Sequence, residues 1–144
     1  MDGLAYVRSL DPAMPMPMAR HFGFRITSVE SGLVIATATP SSEHENPFAV
    51  AQGGFAGTVL DIALGLVSIS VLTGDATSVA TTDLSVRYFR PILASTGTLD
   101  IRATIVHLGR TTVVAEATLT GAGAKRYATA QSNSLILRTP SSRA

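Results

Sequence analysis

The chain has 144 residues, of which 46% are hydrophobic and only 15% charged, with a net charge of +1 and no cysteine. That length fits one domain over 1–144, with a helix and arm over 1–22, and is enough to bury a core without staples. The missing cysteine excludes disulfides, iron–sulfur ligation, a thiol nucleophile and the usual structural zinc sites, and balanced, scattered charge argues against nucleic acid. The low charged fraction leaves either a bland surface or one covered by a second copy of the chain. The start, Met1-Asp2-Gly3-Leu4, has no basic stretch ahead of an apolar one, so the expected address is the cytoplasm.

Asp2 can cap a short helix over about 3–10, which Asp11-Pro12 would stop. Met14-Pro15-Met16-Pro17-Met18 predicts an extended arm, either packed on the surface or forming the soft wall of an apolar pocket. Two β-rich runs, 24–29 and 33–38, flank Glu30-Ser31-Gly32 and read as a hairpin closed by Pro40. A polar loop over 41–46 follows, and Pro47-Phe48 leads into Gln52-Gly53-Gly54. Residues 53–72 are apolar on every face apart from Thr58, Asp61, Ser68 and Ser70. Such a helix is buried or spans a membrane. The central Asp61, the glycines and the lack of anchoring flanks favour a core helix of about five turns. Four strand-like runs close the chain, over 78–89, 97–106, 111–120 and 126–137, separated by turn-forming residues. Their short connections predict a four-stranded antiparallel meander, and the sum is an α+β sheet wrapped around one long helix.

No nucleophile elbow, phosphate loop, dinucleotide fingerprint or metalloprotease motif occurs. His21, His44 and His107 lie in separate segments without ligand spacing, so no metal is expected and the three read as surface or loop residues. Two features remain. Gly53-Gly54 at the start of a buried helix leaves backbone N–H groups open at the positive end of the helix dipole, ready for an anion or a developing oxyanion, although the same glycines serve equally as a tight turn. Asp61, a carboxylate midway along an apolar helix, needs either a structural partner or a chemical task. Eight residues separate Gly53 from Asp61, about 12 Å along one helix, too far to act on one carbonyl carbon. If both act, they come from different subunits of a two-fold dimer.

At these residues the chain resembles the hotdog-fold acyl-CoA thioesterases of the phenylacetate-pathway and 4-hydroxybenzoyl-CoA type. The likeness runs from about 18 to 137. It rests on Gly23-Phe24-Arg25, Asn46-Pro47, the run from Gln52-Gly53-Gly54 through Leu60-Asp61 to Ala63-Leu64-Gly65, Tyr88-Phe89-Arg90-Pro91 and the turn from His107 to Arg110. The resemblance implies hydrolysis of an acyl- or aryl-CoA thioester without a cofactor, in a homodimer that pairs into a tetramer. It implies Asp61 as general base or nucleophile, Gly53 as the N–H donor to the thioester carbonyl, Asn46 as the group that positions water or thioester, and Thr81 as support for the water. Gly54 is a further substrate-binding position, and the acyl group would lie against Phe48, Phe55 and the arm over 14–18, residues that serve equally as core. Arg90 and Arg110, with Arg87, Lys125 and Arg126, are the cations available for the CoA phosphates. Gln52 departs from the pattern: it stands where most relatives have His, and it can donate a hydrogen bond but cannot carry a proton. A ligand-binding protein without turnover, a hydratase and a dimerisation module are the rival expectations. Gln52 favours the first, the missing His at the helix start counts against the second, and Asp61 counts against the third.

Overall fold

Asp2 closes the N-terminus of α1 (Gly3–Ser9), its carboxylate accepting the Ala5 N–H at 3.0 Å. The computed structural model describes residues 1–10 and 16–140, so Asp11-Pro12 and the Met14-Pro15 half of the expected arm lie outside the described residues. In the other half only Met16 is extended. Pro17 takes the first position of a helix, α2 (Pro17–His21), where its missing N–H leaves no partner unmet.

The hairpin forms as expected, β1 (Arg25–Glu30) against β2 (Leu33–Ala38), around a two-residue turn in which Gly32 has φ +79°. The loop that follows carries one 3-10 turn, Ser42–His44, and delivers the chain to the long helix α3 (Gly53–Ser70). Beyond it come β3 (Ala76–Tyr88), β4 (Leu99–Leu108), β5 (Thr112–Thr120) and β6 (Arg126–Arg138). All six strands form one antiparallel sheet in the order β1-β2-β4-β5-β6-β3. The expected meander is corrected at its first member: β3 pairs with β6 at the far edge, not with β4. The connection over 89–98 contains Pro91 and a 3-10 turn, Ala94–Thr96, and is too long for a hairpin, whereas β4, β5 and β6 follow one another through short turns.

The sheet curves round α3. Val59, Leu60, Ala63, Leu64 and Val67 of the helix are fully buried, as are Val34, Ala36, Ala103, Ala115 and Ala128 from the strands. The alanines let helix and sheet approach closely, and each buried Leu contributes about 1.5–3 kcal/mol. α1 seals the far end of α3, its Gly3 N–H donating to Leu72 O at 3.1 Å. A Cβ at Gly3 would lie 1.8 Å from Ile69 O, so only glycine fits there. By length and composition α3 could cross a membrane, yet here it is the core helix. It is not buried all round, which corrects the sequence expectation. Gly54, Gly57 and Gly65 would each meet nothing within 4 Å if given a Cβ, and with Thr58, Asp61 and Ile62 they form a stripe that its own sheet leaves uncovered.

Candidate active site

Gln52 stands at the N-cap of α3 and makes no side-chain cap hydrogen bond. Its N–H donates to His44 O at 2.8 Å and its carbonyl accepts the Phe55 N–H at 2.8 Å. The N–H groups of Gly53 and Gly54 have no partner among the described residues, so two unshielded donors point out of the helix start. Asn46 builds the approach. Its Oδ1 accepts the N–H groups of Phe48 (2.9 Å) and Val50 (3.3 Å), while its own N–H donates to Val50 O at 2.7 Å. This ties the loop into an Asx turn and leaves the Asn46 amide NH₂ with no partner among the described residues. Phe48 at the loop tip is 85% exposed, and Phe55 is buried.

His44 lies in the loop, as expected of a surface or loop residue, but is buried. Its ring stacks on Phe22 (centroids 4.8 Å apart) and packs against Phe55 at 4.9 Å. The Ser41 N–H donates to Nδ1 at 2.9 Å, so Nε2 carries the proton and donates to His21 O at 3.0 Å. Both nitrogens are committed to structure. This histidine therefore anchors the loop and does not stand in for the one absent at Gln52.

Asp61 lies two turns beyond Gly53, half-buried on the open stripe, and accepts the Thr81 hydroxyl at 3.3 Å. It shares a shallow cavity of about 340 Å³ with Met18, Gly54, Gly57, Thr58, Ile62 and Leu84. A second cavity of about 340 Å³ flanks the helix start, between Gln52, Gly53, Tyr88, Phe89, Arg90 and Ile92. A third of about 290 Å³ lies on the other side of Gln52, lined by Phe22, His44, Gly54, Phe55 and Thr58. Among the cations, Arg90 borders the helix start, Arg126 lies over the Phe89 ring at 5.8 Å, and Arg87 lines a depression between β3, β5 and β6 with Arg126 and Glu116. Lys125 precedes β6. Arg110 sits in the β4–β5 turn, where its carbonyl accepts from Arg138, whose guanidinium also pairs with Asp75 beyond the end of α3. It therefore stands a helix length away from Gly53, and one chain does not bring the two together. Among the described residues no group of three potential metal ligands occurs.

The structure thus gathers Gln52, Gly53, Gly54, Asn46, Phe55 and Arg90 at one end of α3, and Asp61 with Thr81 two turns away. Sequence reasoning missed Tyr88 as part of this site, although it begins the Tyr88-Phe89-Arg90-Pro91 segment. Its hydroxyl donates to Gly53 O at 2.7 Å.

A six-stranded antiparallel sheet wrapped round one helix, with open amides at the helix start, defines the hotdog fold. The chain belongs to the thioesterase superfamily, whose family model matches residues 48–126. Among solved structures, it is similar to a Streptococcus mutans protein bound to acetyl-CoA, at 32% identity and a TM-score of 0.73, over 81% of this chain and 90% of that one. It is also similar to a phenylacetic acid degradation-related protein from Ralstonia eutropha, at 26% identity and a TM-score of 0.79, over 94% of this chain and 100% of that one. The PaaI protein of the Escherichia coli phenylacetic acid degradation operon shares the fold at 22% identity, with a TM-score of 0.77, over 85% and 86% of the two chains. Comparison with curated proteins finds no match.

Proposed function

We propose that the protein hydrolyses an acyl- or aryl-CoA thioester to free acid and CoA, in a site shared between two copies of the chain. The observation that carries this reading is the pair of free amides at Gly53 and Gly54 with a carboxylate, Asp61, on the uncovered stripe that begins at Gly54, about 12 Å from Gly53 by helix rise. One chain cannot apply both to one carbonyl carbon. A second copy, related by a two-fold axis and laid along the stripe, would bring each Asp61 to the other's helix start. The acetyl-CoA bound to the Streptococcus mutans relative supports a CoA thioester as ligand.

In this mechanism the thioester oxygen accepts from the Gly53 N–H, with the Asn46 and Gln52 amides holding the thioester. Asp61 of the partner subunit takes a proton from water as the water oxygen bonds to the carbonyl carbon, or attacks that carbon itself to give an anhydride that water opens. On the first route the C–S bond breaks once water has added, and on the second it breaks as the anhydride forms, before water opens it. On either route CoA leaves as thiolate, takes up the proton that the water gave to Asp61, and the acid is released. Thr81 orients the carboxylate. The helix-start donors stabilise the oxyanion, a contribution worth about 2.7–4 kcal/mol where one such donor is removed from a serine protease. Gln52 favours a second reading, in which the chain binds CoA esters without turnover, because an amide can hold the thioester but cannot shuttle a proton.

Release of free thiol from a panel of acyl- and aryl-CoA esters separates the two. Asp61→Asn is expected to lower kcat at least 100-fold while leaving CoA binding within about twofold. Equal rates for wild type and variant would overturn the Asp61 mechanism, and a wild type that binds CoA but cleaves no ester would establish the binding protein.

A further inference from the structure

We propose that Tyr88 is a positioning residue for the oxyanion donors at the start of α3, a role that rests on the thioesterase reading above. Its hydroxyl donates to Gly53 O at 2.7 Å, a contact spanning 35 residues of sequence. That carbonyl belongs to the Gly53–Gly54 peptide, the same planar unit that carries the free Gly54 N–H. A hydrogen bond to the oxygen of a peptide draws charge toward it and makes its N–H a better donor, and it also fixes the plane in which that N–H points. The hydroxyl therefore acts from behind on the second helix-start donor, the Gly54 N–H, beside the Gly53 N–H that the mechanism gives to the thioester oxygen.

Steric fit ties the two residues together. A Cβ at Gly53 would lie 3.2 Å from the Tyr88 oxygen and 3.4 Å from the ring carbon that bears it, whereas one at Gly54 would meet nothing within 4 Å. The glycine at 53 is thus matched to the tyrosine of its own chain, and the glycine at 54 is open to whatever approaches the site. The ring itself is 54% exposed near the end of an edge strand, so core packing does not account for it. It forms one wall of the cavity at the helix start, between Gly53 and Arg90. β3 carries this hydroxyl and the Thr81 hydroxyl on Asp61, so one strand aligns the helix start of one shared site and the carboxylate of the other.

The test uses the full chain in four forms: wild type, Tyr88→Phe, Gly53→Ala and the double variant. Tyr88→Phe is expected to lower kcat about tenfold, a fraction of the 10²–10³ lost when an oxyanion donor is removed, with KM within about twofold. Gly53→Ala is expected to cost less kcat in the Tyr88→Phe background than alone, because the oxygen its methyl group crowds is gone. The Gly54 amide proton, followed by NMR without substrate, should move upfield in Tyr88→Phe. An active wild type whose kcat is unchanged by Tyr88→Phe, or an unmoved Gly54 amide, would overturn this inference alone. A wild type that cleaves no thioester would overturn the proposed function and take the catalytic role of Tyr88 with it.

Discussion

Thr81 supplies the one hydrogen bond to Asp61 among the described residues, at 3.3 Å and at a partly solvated position. Bonds to charged groups are worth about 1.5–3 kcal/mol when buried, and length and water reduce this one to about 1 kcal/mol. Thr81→Val keeps the branched shape and removes the donor. Its expected effect is a fall in kcat of about fivefold with an unchanged melting temperature, since 1.4 kcal/mol corresponds to tenfold. A stopped assay beside a thermal melt checks both, and a melting point lowered by several degrees would assign the hydroxyl to the fold. Asp61 stands out as a candidate in the sequence because a lone carboxylate in an apolar helix has so few inexpensive explanations, and the structure places it half-buried beside Thr81. His44 and Tyr88 were not. The one is held by a bond to His21, 23 residues back, and the other acts on Gly53, 35 residues before it, and local patterning carries no trace of either contact.

Among the elements, α3 and β6 meet across a seam with an unusual content: Ser68, Ser132 and Ser134 are buried with no hydrogen-bond partner among the described residues. An unmet buried hydroxyl costs about 1–3 kcal/mol, and its removal leaves a side chain of nearly the same shape. Ser134→Ala is therefore expected to raise stability by about 1 kcal/mol, read as a higher urea midpoint with an unchanged slope. A destabilised variant would mean that the hydroxyl is satisfied, for instance by an internal water. Period-two alternation made β4, β5 and β6 readable, and the hairpin β1–β2 was readable from its turn. The place of β3 was not, because its pairing with β6 follows from how the chain passes the helix start, and both candidate neighbours have the same pattern. The open stripe of α3 was hidden for a related reason. In the sequence Gly54, Gly57 and Gly65 look like more of an apolar helix, whereas in three dimensions they make a shallow open track.

At the scale of the whole molecule, the low charged fraction and the uncovered features agree. β3 is a sheet edge of thirteen residues, bearing the exposed Leu84 beside the Asp61 cavity, and an edge that long is ordinarily covered or blunted. A second copy across this edge and the α3 stripe would cover both at once and complete two sites, each built from one chain's helix start and the other chain's Asp61. Subunit complementation tests that arrangement more sharply than a molecular mass does. Asp61→Asn and Gly53→Val each impair both sites of their own dimer. In a mixed dimer with shared sites, one site carries both changes and the other carries neither. After subunits exchange from an equal mixture, half the dimers are mixed, and about a quarter of all sites regain the wild-type complement. The expected activity is accordingly about a quarter of wild type, well above either variant alone. If each chain instead supplied its own Gly53 and Asp61 to one site, every site in the mixed dimer would carry one lesion, and mixing would restore nothing.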